Sequence, residues 1–190
     1  FKVMGGGSKH GTKSQVGIHY KAIRQIVPNA RRIVLFDYDD DEKALNPSVN
    51  DAYLVEWKRK NIENYLLVPT AWKRATLQTL GNLPEDLFTA PVLQSIDAFF
   101  ADQNLTLAPG KTWRTVGAQI FQVVDGKRML FENDDSLFHT LRQGQPPVEV
   151  LRERVAAAMT ADEIHEDVHV FFQKVVRIVQ GARGWLLPAA

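Results

Sequence analysis

Val16, Tyr20, Ile23 and Val27 recur at spacings of three and four, which predicts a helix over residues 13–27 with one apolar face, and Pro28 ends it. Ahead of it, Phe1–Met4 reads as a short strand and Gly5-Gly6-Gly7-Ser8 as a loop. Behind it, Ile33-Val34-Leu35-Phe36 is a continuous apolar run ending in acids, the pattern of a buried parallel strand whose carboxyl end reaches a site. The front of the chain therefore predicts strand–loop–helix–strand, a βαβ unit. Tyr53–Trp57 predicts a third strand, and Ile62–Leu67 the first turns of a helix that Pro69 interrupts or restarts. Residues 70–80 and 84–102 predict helices, the second with Leu93, Ile96, Phe99 and Phe100 as its apolar stripe. Gly110–Arg114 is a turn, and residues 115–131 show no single period and break at Asp125-Gly126. Residues 135–143 and 147–159 predict two more helices. Thr160-Ala161-Asp162-Glu163 is a capping box that should open a last helix through about Val179, with Val168, Phe171, Phe172, Val175 and Val176 on its apolar side.

The chain is 190 residues long, 45% hydrophobic and 24% charged, which suits a folded domain and argues against disorder. It has no cysteine, so a disulfide scaffold, a thiolate metal site and a cysteine nucleophile are all excluded. No apolar run approaches the roughly 20 residues of a membrane span and no signal-peptide pattern opens the chain. These features predict a cytoplasmic protein without a membrane partner. The chain opens at Phe1 inside an apolar run, which reads as a fragment of something longer.

A net charge of +1 conceals a strong segregation. Residues 1–36 contain seven bases (Lys2, Lys9, Lys13, Lys21, Arg24, Arg31, Arg32) and no acid. Asp37, Asp39, Asp40, Asp41 and Glu42 follow at once, and then the basic run Lys58-Arg59-Lys60. A compact acidic cluster between basic flanks is what a metal site acting on a polyanion needs. It is also what two solvated faces around an acidic turn would look like.

Three motifs compete for the chemistry. His165-Glu166-Asp167-Val168-His169 matches H-E-x-x-H, but no His, Glu or Asp follows His169 to complete a zinc site, so a solvated helix face is expected. Gly7–Ser14 approaches G-x-x-x-x-G-K-[ST], with Thr12 where the second glycine of a P-loop belongs. A β-branched threonine fits that anion-cradling turn poorly, although a basic glycine-rich turn at a helix start can still meet a phosphate. Asp37-Tyr38-Asp39 after an apolar strand can converge on a hard cation such as Mg²⁺ through oxygen donors. A D-x-D after a strand also occurs in haloacid-dehalogenase-like phosphatases, but Asp41 stands where those favour Thr or Val.

The Asp37-Tyr38-Asp39 stretch, followed by Trp57-Lys58-Arg59-Lys60-Asn61-Ile62-Glu63-Asn64-Tyr65-Leu66-Leu67, resembles the C-terminal Toprim region of overcoming-lysogenisation-defect (OLD) family nucleases and related ATPase-linked Toprim proteins. Val124-Asp125-Gly126-Lys127-Arg128 resembles the segment that carries the family's active-site lysine. The likeness spans about residues 1–130. It implies an α/β fold: a Toprim-like, Rossmann-like parallel sheet flanked by helices. Residues 1–130 would be the catalytic domain with a helical insertion around 70–103, and residues 131–190 a helical C-terminal part.

The resemblance further implies a metal-dependent DNA endonuclease module with a two-metal site for Mg²⁺ or Mn²⁺, of a kind found in phage defence. Asp37 and Asp39 would bind metal, Glu63 would hold the second ion and serve the chemistry, and Lys127 would offset charge on the reacting phosphate. Lys9, Lys13, Lys58, Arg59 and Lys60 would track DNA. An upstream ATPase domain of the same protein and a second copy of the chain are the protein partners it implies. One departure stands out: Toprim domains carry a catalytic Glu on an earlier strand, and no Glu precedes Asp37. The alternatives are a non-catalytic Toprim module that binds DNA or protein, and a P-loop or phosphatase-like enzyme.

Overall fold

The structure is a computed structural model that describes residues 9–38 and 54–183. The predicted first strand, the glycine-rich loop and Asp39 lie outside the described residues. Seven α-helices and one two-stranded parallel sheet are present among the described residues, a mixed α/β composition. None of these helices is long and apolar enough to cross a membrane.

The chain forms two compact units, one from residues up to Trp57 together with those from Val170 on, the other Lys58–His169.

In the first unit, α1 (Lys9–Ile26) begins before the apolar periodicity does, and Pro28 follows its end. That start places Lys9–Ser14 on helix, so the P-loop-like stretch is not an anion-cradling loop from Lys9 onward. β1 (Val34–Phe36) pairs in parallel with β2 (Leu54–Glu56), Phe36 opposite Glu56. The pairing is closed by the Trp57 N–H donating to the Phe36 carbonyl at 2.9 Å. Phe36 is buried while Leu35 is exposed, so β1 is half-buried rather than covered on both faces.

The second unit is a helical pack around Trp72, Ile96, Phe100, Phe121 and Leu141. A 3-10 turn, Ile62–Leu66, leads into α2 (Pro69–Thr79). Pro69 restarts the helix there, at the first-turn position where its missing N–H costs nothing. The Trp72 indole donates to the Leu66 carbonyl at 2.9 Å, fixing that junction. α3 (Ala90–Asp102) starts later than its apolar pattern because Asp86 caps a turn, its carboxylate accepting from Phe88 and Thr89 N–H groups at 2.9 and 3.1 Å. α4 (Ile120–Val123) and a π turn, Arg128–Glu132, account for the unperiodic stretch. α5 (Leu137–Gln143) follows, capped by Ser136. α6 (Arg152–Ala158) is shorter than its pattern, because Val148 and Val150 enter the core from extended chain. α2 packs against α3 and α6, and α3 against α5.

The predicted capping box does not open a helix. Residues 161–163 form only a turn, in which the Glu163 carboxylate accepts from the Thr160 N–H at 2.9 Å and also binds Thr70 and Arg74. α7 (Glu166–Arg183) begins three residues later. His165 supplies the cap, its Nδ1 accepting from the Asp167 N–H at 3.2 Å. Of the predicted apolar face of α7, Phe171 packs on Trp57 with ring centroids 5.4 Å apart, whereas Phe172 and Val176 are exposed.

Candidate functional site

Asp37 directly follows β1 and is exposed, at the carboxyl end of the parallel pair where ligands of α/β sheets gather. Its carboxylate is a hard oxygen donor suited to Mg²⁺ or Mn²⁺. Its predicted companion Asp39 lies outside the described residues. Lys9 and Lys13 lie on α1.

Within Lys58–His169, two segments separated by some sixty residues are clasped together. Asn64 is fully buried, and its side-chain amide is completely satisfied. Nδ2 donates to the Phe121 and Val124 carbonyls at 3.0 and 2.7 Å, and Oδ1 accepts from the Gly126 N–H at 3.0 Å. Asn61 Nδ2 donates to Asp125 Oδ1 at 3.1 Å, the Lys60 N–H donates to the Gln122 carbonyl at 2.9 Å, and Lys60 Nζ lies 3.4 Å from Asp125 Oδ2. Burial opposes ionisation of Asp125, but the Arg128 N–H, Lys60 and Asn61 outweigh it and hold its carboxyl below the ordinary range.

This clasp places Glu63 and Lys127 in one charged neighbourhood. Glu63 is only 9% exposed, with Oε1 3.4 Å from Arg152 Nε. The Arg152 guanidinium lies over the Phe131 ring, 4.6 Å from its centroid. Lys127 is exposed and pairs with Glu132 at 2.8 Å. The Glu132 hydrogen bond, with its charge, raises the Lys127 ammonium above its ordinary value, Glu63 adds to the rise and Arg152 opposes it. Glu63 is thus the counter-ion of Arg152 here, and a cation bound by Glu63 would take the place of that partner. Arg152 carried no signal in the sequence, because its pairing depends on α6 packing against the Ile62–Leu66 turn.

The three residues of the basic run differ sharply. Arg59 is 3% exposed, so it is an internal group and not a surface contact for DNA. It donates to the Asn64 and Val116 carbonyls at 2.8 and 3.3 Å and lies over the Tyr65 and Phe121 rings. Lys58–Lys60 form a bend in which Lys58 and Lys60 face outward and Arg59 inward. Burial lowers the Arg59 pKa, and Tyr65 and Asp167 work against that. Lys58 reaches solvent but binds Asp167 Oδ1 at 3.0 Å.

The H-E-x-x-H stretch is not a solvated face. His165 has both ring nitrogens engaged: Nδ1 lies 3.2 Å from the Asp167 backbone nitrogen and 3.4 Å from its Oδ2, and Nε2 meets the Val116 carbonyl at 3.1 Å. Asp167 also accepts from the Tyr65 hydroxyl at 2.9 Å. Burial alone would raise the Asp167 carboxyl, but His165, Lys58 and Tyr65 together hold it far below the usual carboxylate range. Burial, with the Asp167 charge, pushes the Tyr65 phenol well up, so it remains a donor. No family model, curated protein or solved structure matches the chain.

Proposed function

We propose that the chain is a divalent-metal-dependent DNA nuclease module of the OLD-like Toprim type. The strongest support is the clasp of Asn61 and Asn64 on Asp125 and Gly126. It joins the two stretches that resemble that family, the Asn-Tyr-Leu-Leu phrase and the Asp-Gly-Lys segment. Asp37 lends separate support from the other unit, as an exposed carboxylate at the carboxyl end of a parallel strand.

On this reading Asp37 and Asp39 hold a divalent ion, which when bound supplies water activation and charge neutralisation at a phosphodiester. Lys127, kept protonated by Glu132, places a positive charge beside the phosphoryl oxygens. Glu63, paired with Arg152 in this structure, would help hold the second ion. Lys58 and Lys60 contribute attraction for the backbone that weakens with salt.

The test is nicking of supercoiled plasmid with Mg²⁺ or Mn²⁺. Nicking is expected to be abolished by EDTA and by Asp37→Ala. Lys127→Ala should reduce it by about 10²–10³-fold, the usual loss for one preorganised electrostatic contact. Salt-sensitive DNA binding without cleavage, indifferent to EDTA, would replace this reading with a non-catalytic binding module.

A further inference from the structure

The surface of α1 holds a cleft that the nuclease reading does not use. It has a volume of about 580 Å³ and is lined by Gly17, Tyr20, Lys21, Arg24, Pro28 and Arg32, among others. That volume lies in the range of small-molecule sites. Among the described residues no acid lines it, and none occurs anywhere in residues 1–36.

Its parts are held in place. Lys21 and Arg24 are three residues apart on α1 and so share a face. Arg24 Nε donates to the Pro28 carbonyl at 3.0 Å, while its terminal nitrogens donate to no described residue. The Tyr20 hydroxyl donates to the Ala30 carbonyl at 2.9 Å, tying the chain after the helix back onto it. Arg32 then lies over the Tyr20 ring, 4.7 Å from its centroid. Cations, an aromatic ring and a proline surface thus meet in one cleft.

Gly17 adds an independent indication. It sits inside a helix, where glycine is unfavourable relative to alanine, and it also lines the cleft. A Cβ built there would meet no atom within 4 Å, so no packing constraint calls for glycine. An open floor in a cationic cleft admits close approach of a ligand to the helix backbone.

We infer that this cleft binds the phosphate of a nucleotide, with Lys21 and Arg24 on the charge and the Tyr20–Pro28 surface against the sugar or base. A free nucleoside phosphate and a nucleotide within a strand share this chemistry. Asp37, Glu63 and Lys127 are not among its lining residues, so the inference stands whether or not the chain cuts DNA.

The test is fluorescence anisotropy in EDTA, which removes any metal-dependent contribution. The probes are a labelled single-stranded oligonucleotide and a labelled adenosine triphosphate. The chain should bind at least one of them. Lys21→Glu with Arg24→Glu should weaken that binding at least tenfold. For the strand, it should flatten the log Kd–log salt slope by about 1.4, two phosphate contacts at roughly 0.7 each. Gly17→Leu, which keeps every charge and is a better helix former, should weaken binding at least fivefold by filling the floor. Binding of the triphosphate identifies a free nucleotide site, and binding of the strand alone identifies a nucleic-acid contact. Binding of neither probe, or variants within twofold of the parent, would overturn the inference. Plasmid nicking with Mg²⁺ reports on the nuclease reading separately.

Discussion

Gly126 donates its backbone N–H to Asn64 Oδ1 at 3.0 Å, and a Cβ built at position 126 would lie 2.6 Å from that same oxygen and 2.9 Å from the Asn64 backbone nitrogen. Glycine is required here by close approach, not by backbone angle. Gly126→Ala must displace the Ile62–Leu66 turn, and overpacking of this kind costs about 1–3 kcal/mol. Asn64→Ala should cost at least as much, because it strands the Gly126 N–H and two carbonyls, each at roughly 1–3 kcal/mol if left without a partner. Urea denaturation should show both losses. Since the clasp aligns Glu63 with Lys127, nicking should fall in both variants even where they remain folded.

Arg59 separates folding from binding in the Lys58–Lys60 run. Its planar fork reaches two carbonyls while its face meets two rings, a set of contacts an ammonium cannot reproduce. Arg59→Ala should destabilise by about 2–4 kcal/mol, through a cavity and the stranded Asn64 carbonyl, while the Val116 carbonyl keeps its contact with His165, and Arg59→Lys should recover less than half of that. Lys60→Ala should leave the urea midpoint nearly unchanged and lower the salt slope of DNA binding. A slope that responds to Arg59→Lys but not to Lys60→Ala would contradict this division.

Much of the helical framework was legible because it rests on local signals. Periodic apolar positions marked α1 and α3, and Pro28 and Pro69 marked where helices end and restart. The misplacements have tertiary causes. Glu163 makes the capping-box bond to the Thr160 N–H and also binds Thr70 and Arg74 on another helix, yet only a turn follows, and the helix starts after His165. Arg59 stands in sequence between two cations and carries no local mark of burial, and only the Tyr65 and Phe121 rings explain why it turns inward. The clasp was legible as two motifs but not as a contact, since nothing local in Asn64 announces Gly126 as its partner.

Glu63 and Arg152 provide a test of role. The pair is half-exposed on the arginine side, so Glu63→Gln should cost no more than about 1 kcal/mol of stability. If Glu63 also serves the chemistry, the same change should reduce metal-dependent nicking by about 100-fold, at the upper end of what supporting ligands contribute. Arg152→Ala should spare more activity than Glu63→Gln. Equal activity in Glu63→Gln and the parent would reduce Glu63 to a counter-ion.

Asp167 should give the second unit a distinct acid dependence. Its side chain is 8% exposed and accepts from Tyr65 and Lys58, with His165 alongside, so its carboxyl titrates below the unfolded value of about 3.9. A depressed folded pKa contributes stability that is fully present above the unfolded pKa and is lost as pH falls toward the folded one. Asp125 and Glu163 are shifted in the same direction and add to this trend. The urea midpoint should therefore hold from pH 7 to about pH 5 and decline from about pH 4 downward. Asp167→Asn should lower the midpoint at pH 7, because Lys58 loses its carboxylate and the Tyr65 hydroxyl loses a charged acceptor. Since the variant no longer has that carboxylate to protonate, its deficit should narrow below about pH 4. A deficit that stays constant from pH 7 to pH 3 would place the cost in packing rather than in the charge of Asp167.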